Sequence, residues 1–309
     1  MVKNLARDGH EILTYDNLSR GHREAVLYGR VVVGDVGDRS KLKEVLRSFR
    51  PDVVMHFAAY IEVAESVRNP SRYYENNVVQ SIRMLETLVE ENIPNLIFSS
   101  TAAVYGVPGE IPIPEEHPLN PINPYGWSKL MVERAIEDFS RAYGLRYAIL
   151  RYFNAAGADP SGRIGESHDP ETHLIPLVLM AASGRRSHIT IYGTDYPTPD
   201  GTAIRDYIHV EDLSDLHILA MDYLLQKGDN LVINCGYGRG YSVREVIEVA
   251  RKVTGRDFPV KEGERRPGDI PYLVADNSRI RRVFGWKPQF DDLEKIIETA
   301  WRWELNRKF

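Results

Sequence analysis

Tyr125 and Lys129 stand four residues apart in the segment Tyr-Gly-Trp-Ser-Lys. On a helix that spacing puts both side chains on one face, one turn apart. A lysine cation near a phenol stabilises the phenolate. The tyrosine pKa, about 10 when unperturbed, would then fall toward neutrality and make Tyr125 a general base. Upstream, an apolar run ends in Ser99-Ser100-Thr101. A hydroxyl residue at the C-terminal end of a strand lies where open α/β sheets bind ligands. Thr101, Tyr125 and Lys129 together form a set that removes the proton of a substrate hydroxyl. Each also has a plainer reading. Tyrosine and lysine at this spacing occur on ordinary amphipathic helices with a snorkelling lysine, and hydroxyl residues often end strands.

Positioning such a set requires a scaffold, and the chain supplies one by alternation. Residues 11–15, 30–34, 52–58, 95–99 and 145–150 are short apolar runs with polar ends. Runs of this kind read as strands of a parallel sheet buried on both faces. Between them, residues 39–49, 70–91 and 123–143 carry helical spacing, with Pro70 suited to a first turn and Gly144 to a stop. The pattern predicts a doubly wound, Rossmann-type α/β fold. After Phe153 the style changes. Residues 154–169 read as a loop, 172–183, 212–226, 242–254 and 291–306 as helices, and 189–192, 203–208, 231–234 and 272–275 as short strands. The expected organisation is a dinucleotide-binding domain at 1–153 and a smaller α/β substrate domain at 154–309. Residues 204–227 are expected to pack back on the first domain.

Asp16 follows the first of these strands. In a Rossmann sheet the acidic residue at the tip of the second strand holds a ribose, and it follows a glycine turn by roughly 20 residues. Asp16 reads as that residue, although alone it would pass for a turn aspartate. The glycine turn and the strand before it are not in this chain, which begins roughly one or two turns into the helix that follows them. A gap between that strand's neighbours is therefore expected. So are weaker dinucleotide binding and lower stability than a chain extended upstream would have.

Composition narrows the field. In 309 residues, 43% are hydrophobic and 27% charged, which excludes a disordered or collagen-like chain. Thirty-nine basic against 44 acidic residues give a net charge of −5, so neither nucleic acid nor an anionic membrane is an expected partner. Cys235 is the one cysteine, which rules out an intrachain disulfide and favours a reducing cytoplasm. No run approaches a membrane span or a signal peptide. No metal is expected.

With these residues in place, the sequence resembles the extended short-chain dehydrogenases, and more narrowly the UDP-glucose 4-epimerases. The resemblance covers nearly the whole chain. It rests on Asp16-Asn17-Leu18-Ser19, His56-Phe57-Ala58-Ala59, Glu65-Ser66-Val67, Tyr73-Tyr74-Glu75-Asn76-Asn77, and the run from Ser99 to Gly106. It continues through Pro124-Tyr125-Gly126 with Ser128-Lys129, Arg151-Tyr152-Phe153-Asn154, the run from Tyr192 to Thr202 leading into Arg205-Asp206-Tyr207, and Arg265-Arg266-Pro267-Gly268-Asp269. It implies tightly held NAD and transient oxidation of a UDP-sugar at its 4-position. Tyr125 would be the base, Thr101 would hydrogen-bond the reacting hydroxyl, and Lys129 would bind the nicotinamide ribose. Asp16, Asn17, Asp35, Val36, Phe57, Ala58, Ala59, Asn76, Tyr125, Lys129 and Phe153 carry over as NAD contacts. An aspartate at 16 would repel a 2′-phosphate and so select NAD over NADP. Thr101, Tyr125, Asn154, His173, Tyr192, Arg205, Arg266 and Asp269 carry over as substrate contacts. Arg205 and Arg266 would clamp the pyrophosphate, because guanidinium matches phosphate oxygens bidentately. Without the resemblance, Arg205 would be assigned to a pair with Asp206 or a surface carboxylate, and Arg265 and Arg266 to a solvated basic patch.

Several alternatives stand beside this reading. Related dehydratases place an acid pair after the hydroxyl residue, whereas here Thr101 is followed by Ala102-Ala103. An N-acetylhexosamine or pentose 4-epimerase remains open. Leu273, at a position where the family varies in size, is intermediate and would admit N-acetylated sugars. A truncated chain that binds UDP-sugar and does no redox chemistry is the alternative of another class. Helices 70–91 and 123–143 could pair with a second copy in a homodimer, or equally face their own sheet.

Overall fold

The computed structural model describes every residue except Pro267. Thirteen strands are formed by the described residues. In chain order they are β1 (Leu13–Asp16), β2 (Arg30–Val33), β3 (Val54–His56), β4 (Asn95–Thr101), β5 (Arg146–Tyr152), β6 (Asn154–Ala156), β7 (Ile189–Tyr192), β8 (Ile204–Arg205), β9 (Tyr207–His209), β10 (Leu231–Cys235), β11 (Tyr241–Ser242), β12 (Val260–Gly263) and β13 (Tyr272–Leu273). The chain divides into two compact units. The first holds residues 1–107, 118–152 and 214–233, and the second 108–117, 153–213 and 234–309.

In the first unit, β1 pairs with β2 in parallel, Leu13 opposite Arg30. A separate four-stranded sheet runs in the order β10-β5-β4-β3, with β3–β4 and β4–β5 parallel. Among the described residues no ladder joins β1 to β3, which is the gap the sequence predicts. The central strand β4 carries Leu96, Ile97 and Phe98, all fully buried. Helices pack on it because their apolar residues recur at helical spacing. Arg39–Phe49 contributes Leu42 and Leu46, Gln80–Glu90 contributes Met84, Leu85 and Leu88, and Pro124–Tyr143 contributes Val132 and Ile136 to one core cluster. Burial of each such side chain stabilises the fold by about 1.5–3 kcal/mol relative to exposure.

The helix predicted over 70–91 has an unexpected middle. It begins at Pro70–Tyr73, widens to a π-helical stretch over Tyr74–Val79, and resumes at Gln80–Glu90. The cause is local. Ser81 Oγ donates to the Asn77 carbonyl at 2.6 Å, and the Asn77 side chain leaves the helix to bond elsewhere. Such insertions concentrate at functional sites.

The second unit contains three small sheets: β11-β8-β13, the parallel pair β12–β7, and the parallel pair β6–β9. The stretch 154–169, read from sequence as a loop, therefore begins with a strand. Its glycines, prolines and aspartates hid a three-residue pairing too short to show periodicity. The expected strand 203–208 is two, β8 and β9, separated at Asp206. Asp206 accepts backbone N–H bonds from Tyr237 at 2.9 Å, Gly238 at 2.9 Å and Ala275 at 3.2 Å. Burial raises its pKa to about 6 against the pull of those amides.

Candidate active site

The helix Pro124–Tyr143 is built to hold its first turn in place. Asn123 caps it, accepting from the Gly126 N–H at 2.9 Å, and Pro124 occupies the first helical position. Gly126 lets the helix approach the end of β4. A Cβ there would lie 2.7 Å from the Ala103 carbonyl oxygen and 3.0 Å from Pro121. The next position before it is Tyr125, and its phenol hydrogen-bonds Thr101. Two of the three residues singled out from sequence are thus in direct contact. Thr101 Oγ1 also accepts from the Ala103 N–H at 3.2 Å, which fixes its rotamer.

Lys129 is buried one turn on. Its Nζ donates to the Ser99 carbonyl at 2.8 Å and lies 5.0 Å from the centre of the Phe98 ring. Burial lowers its pKa to about 8, and the negative charge of Glu133 opposes that fall. The sequence reading expects Lys129 to bring the Tyr125 phenol toward neutrality. In the protein alone the phenol is instead raised by loss of solvent, with only the Thr101 hydrogen bond pulling it down. The Lys129 ammonium is bonded to the Ser99 carbonyl and not to the phenol.

A pH effect follows from Lys129. Between about pH 8 and pH 10.5 the unfolded chain holds this proton and the folded chain does not, so folding stability rises with pH across that window. The unfolding free energy of Lys129→Met, followed in denaturant from pH 8 to pH 10.5, is expected to climb less steeply than that of the parent chain. Parallel profiles would contradict the assignment.

Another turn along the same face stands Glu133, which sequence reasoning missed. It meets Arg151 of β5 through two bonds, Nη2–Oε2 at 2.7 Å and Nε–Oε1 at 3.1 Å, and both side chains are almost fully buried. Ser100 Oγ donates to the same carboxylate, and Arg151 Nη1 donates to the Tyr105 hydroxyl at 3.0 Å. The pair pins the helix carrying Tyr125 and Lys129 to β4 and β5. Its only sequence signal was the helical spacing of 125, 129 and 133.

Asn77 was quoted for the resemblance and not chosen as a site residue. Its side chain accepts from the Tyr60 N–H and donates to the Tyr60 carbonyl, both at 2.9 Å, and donates to Ser128 Oγ at 3.1 Å. It ties the segment after β3 to the helix of Tyr125. Asn76 beside it is half-buried and donates to Asn77 Oδ1. His56 at the end of β3 is buried against Ser81 Oγ at 2.9 Å; burial, then the Lys129 charge, lower its pKa to about 3, so it is neutral.

The expected cofactor residues line the C-terminal ends of β1, β2 and β3. Asp16 accepts from the Leu18 N–H at 2.7 Å. Asn17 donates to Asp35 Oδ2 at 2.8 Å, and Asp35 Oδ1 accepts from the Gly37 N–H at 2.8 Å. Val36 is half-buried, Phe57 and Ala58 are exposed, and Ala59 is half-buried. Near Gly37 and Asp35 lies Gln80, whose buried Oε1 has no hydrogen-bond partner. Carboxylates at two strand ends, an exposed apolar pair and an unpaired buried acceptor fit a dinucleotide.

The second unit brings together most of the residues expected to meet substrate. Arg205 is half-buried and donates to its neighbour's carbonyl, Ile204, at 2.9 Å. It does not take Asp206 as partner, since that carboxylate is occupied by three amides. Burial lowers the Arg205 pKa, Arg266 repels it, and Asp269 and Tyr207 attract its charge. Arg266 bonds Asp269 at 3.0 Å and stacks 5.0 Å over the exposed Tyr192 ring. Arg265 bonds Asp195 at 2.6 Å and stacks 4.3 Å over Tyr196. Tyr196 is buried with its hydroxyl unpartnered, within electrostatic reach of Arg205, Arg266 and Asp269. Leu273 lies opposite Arg205 in the β13–β8 ladder. Of the motif Arg265–Asp269, Pro267 lies outside the described residues. This set can hold an anion and a hydroxyl-rich ligand.

Phe153 and Asn154 are placed by backbone bonds to Cys235 and Asp206 at 3.1 and 2.9 Å. His173 is placed in a different company, with Glu166, His168 and Glu171. The two expected contacts Asn154 and His173 lie at either end of one segment.

Comparison with known proteins is decisive at this point. Residues 1–236 match the model of the NAD dependent epimerase/dehydratase family. The chain belongs to that family. It is 49% identical over 98% of its length to the UDP-glucose 4-epimerase of Rhizobium meliloti, covering 92% of that protein. The UDP-glucose 4-epimerase of Brucella ovis, solved in complex with NAD, superimposes with a TM-score of 0.94 at 49% identity, over 97% of this chain and 92% of that one. The Bifidobacterium longum UDP-glucose 4-epimerase, solved with NAD+ and UDP, gives 0.94 at 36% identity, over 99% and 94%. The fold is the Rossmann-type α/β fold of these enzymes. Among the described residues no helix is long and apolar enough to cross a membrane.

Proposed function

We propose that the protein interconverts UDP-glucose and UDP-galactose with NAD. The observation that carries the reading is the hydrogen-bonded Thr101–Tyr125 pair with buried Lys129 one turn away, in a chain 49% identical to a UDP-glucose 4-epimerase over nearly its full length. NAD bound by these residues would supply a reversible hydride acceptor for the sugar C4. Tyr125 takes the proton of the 4-hydroxyl as the carbon is oxidised and gives it back after the 4-keto sugar has turned over. The proton that Tyr125 removes from O4 is restored to O4 and the C4 hydrogen is restored to C4, so the sum of the reaction is inversion at C4 alone. Thr101 holds the reacting hydroxyl in line with the phenol. Lys129 holds the nicotinamide ribose. Asp16, Asn17, Asp35, Val36, Phe57, Ala58, Ala59, Asn76 and Phe153 hold the rest of the dinucleotide.

Arg205 and Arg266 clamp the pyrophosphate of the UDP-sugar, Asp269 accepts from its ribose, and Asn154, His173 and Tyr192 complete the grip. All the cofactor residues but Phe153 lie in the first unit, and all the sugar-nucleotide residues but Thr101 and Tyr125 lie in the second. The closeness of Arg205 and Arg266 to each other, with Asp269 between their charges, supports the assignment to a pyrophosphate. Replacing Arg205 with leucine is expected to raise KM for UDP-galactose by about 10–100-fold, the worth of a charge-assisted hydrogen bond, with a smaller change in kcat. An unchanged KM would remove Arg205 from the substrate site. Exposed Trp127 and Met131, one turn apart on the helix of Tyr125, favour a homodimer through that helix.

The reading is tested by incubating the chain with UDP-galactose and NAD and separating the nucleotide sugars. UDP-glucose accumulating to an equilibrium mixture is expected. UDP-galactose unchanged and no NAD retained, with UDP-sugar still bound, would leave the binding-only alternative.

A further inference from the structure

Glu166, His168, Glu171 and His173 each direct one ligand-type atom to a common point, and these four atoms lie within 4.8 Å of one another. His173 Nδ1 is 2.7 Å from Glu166 Oε1 and 3.0 Å from Glu171 Oε1. His168 Nδ1 is 3.2 Å from Glu166 Oε1 and 3.6 Å from Glu171 Oε2. Two imidazoles and two carboxylates are the ligand types that zinc and its neighbours take. At metal–ligand distances of about 2.0–2.2 Å, the corners of a tetrahedral site stand about 3.3–3.6 Å apart. The four imidazole–carboxylate spacings run from 2.7 to 3.6 Å and reach that range at their upper end.

The second observation concerns Glu171. Its side chain is 4% exposed, and its oxygens are used unequally. Oε1 accepts from the Thr172 N–H at 2.7 Å and the His173 N–H at 2.8 Å. Oε2 is buried with no hydrogen-bond partner. Among the described residues, the one group facing Oε2 is His168 Nδ1, at 3.6 Å and beyond hydrogen-bond reach. A buried carboxylate oxygen with no hydrogen bond costs free energy, and an ion held among the four side chains would recover it.

The frame around the cluster is rigid. Trp303 Nε1 donates to the Glu166 carbonyl at 2.9 Å, and Arg307 donates to Ser167 Oγ at 2.7 Å. A side chain at Gly165 would collide with the Trp303 ring, the nearest atom 2.3 Å away. Ligands held in this way lose little further freedom on binding an ion.

We infer that Glu166, His168, Glu171 and His173 form a structural site for one divalent transition ion of the zinc type, which fastens the segment between Asn154 and His173. The ion takes no part in the proton and hydride transfers, and it shares His173 with the residues assigned to the sugar nucleotide. It rests on the functional reading only in that this segment carries two residues assigned to the sugar nucleotide.

The test uses the full chain, freed of metal by chelation and desalting, then given zinc chloride. After a second desalting, metal is counted by mass spectrometry and the melting temperature recorded. About one zinc per chain, and a higher melting temperature than the chelated protein, are expected. Glu171→Gln and His168→Gln should each lose the retained zinc and the zinc-dependent rise, while circular dichroism shows them folded. Should either variant fail to fold, the zinc count and melting shift of the parent chain still decide. A parent chain that elutes without zinc and melts unchanged would overturn the site, as would variants that retain zinc like the parent. Neither readout depends on turnover, so failure here is distinct from failure of the epimerase reading.

Discussion

Phenylalanine at position 125 is expected to lower kcat by about 10³-fold, the usual worth of a positioned general base. KM for the UDP-sugar should change little, since the ring remains and only the hydroxyl is lost. The argument rests on geometry. Tyr125 is the one phenol bonded to Thr101, and Gly126 exists to let it reach there. The melting temperature should hold or rise slightly, because the substitution removes a half-buried polar group and leaves the helix cap at Asn123 untouched. Steady-state kinetics beside a thermal melt separate the two effects. A kcat within about tenfold of the parent would mean that another group takes the proton.

Methionine at position 151 is expected to be the most damaging single change to stability outside the apolar core. Arg151 and Glu133 are 4% and 1% exposed, and the guanidinium answers both carboxylate oxygens. Removing one partner of such a pair leaves a buried charge without compensation, at a cost of about 3–5 kcal/mol. The loss is expected in urea unfolding of Arg151→Met, as a lower midpoint at similar slope. Adding Glu133→Leu should recover part of it, since the double variant buries no orphaned charge. Recovery would be incomplete because Ser100 and Tyr105 lose their partners too. A loss below about 1 kcal/mol would class the pair with exposed ion pairs.

What the sequence disclosed and what it hid divide along a physical line. The helix of Tyr125 was legible because proline, an asparagine cap and a terminal glycine mark its ends over twenty residues. The strand β4 was legible because its run is apolar on both faces. Thr101 and Tyr125 could be paired because a strand ends at the first and a helix begins at the second, with one loop between them. Glu133–Arg151 could not, since a buried ion pair looks in sequence like two surface charges. The π-helical turn at Tyr74–Val79 was invisible because one extra residue in a helical turn leaves no mark in residue type or apolar spacing. Strands of two or three residues, such as β6, β8 and β13, carry no periodicity at all. The cluster around Glu171 did leave a trace, in acids and histidines alternating over Glu166–His173. Read singly, His173 suggested only a ligand contact.

The account turns on whether hydrogen at the sugar C4 leaves and returns to the same carbon. The direct measurement incubates the chain with NAD and UDP-galactose deuterated at C4, and reads the product by proton NMR. The account predicts UDP-glucose with deuterium retained at C4, because the hydride passes to the bound dinucleotide and back without meeting solvent. UDP-glucose that has lost the label to water, or no UDP-glucose at all, would contradict it.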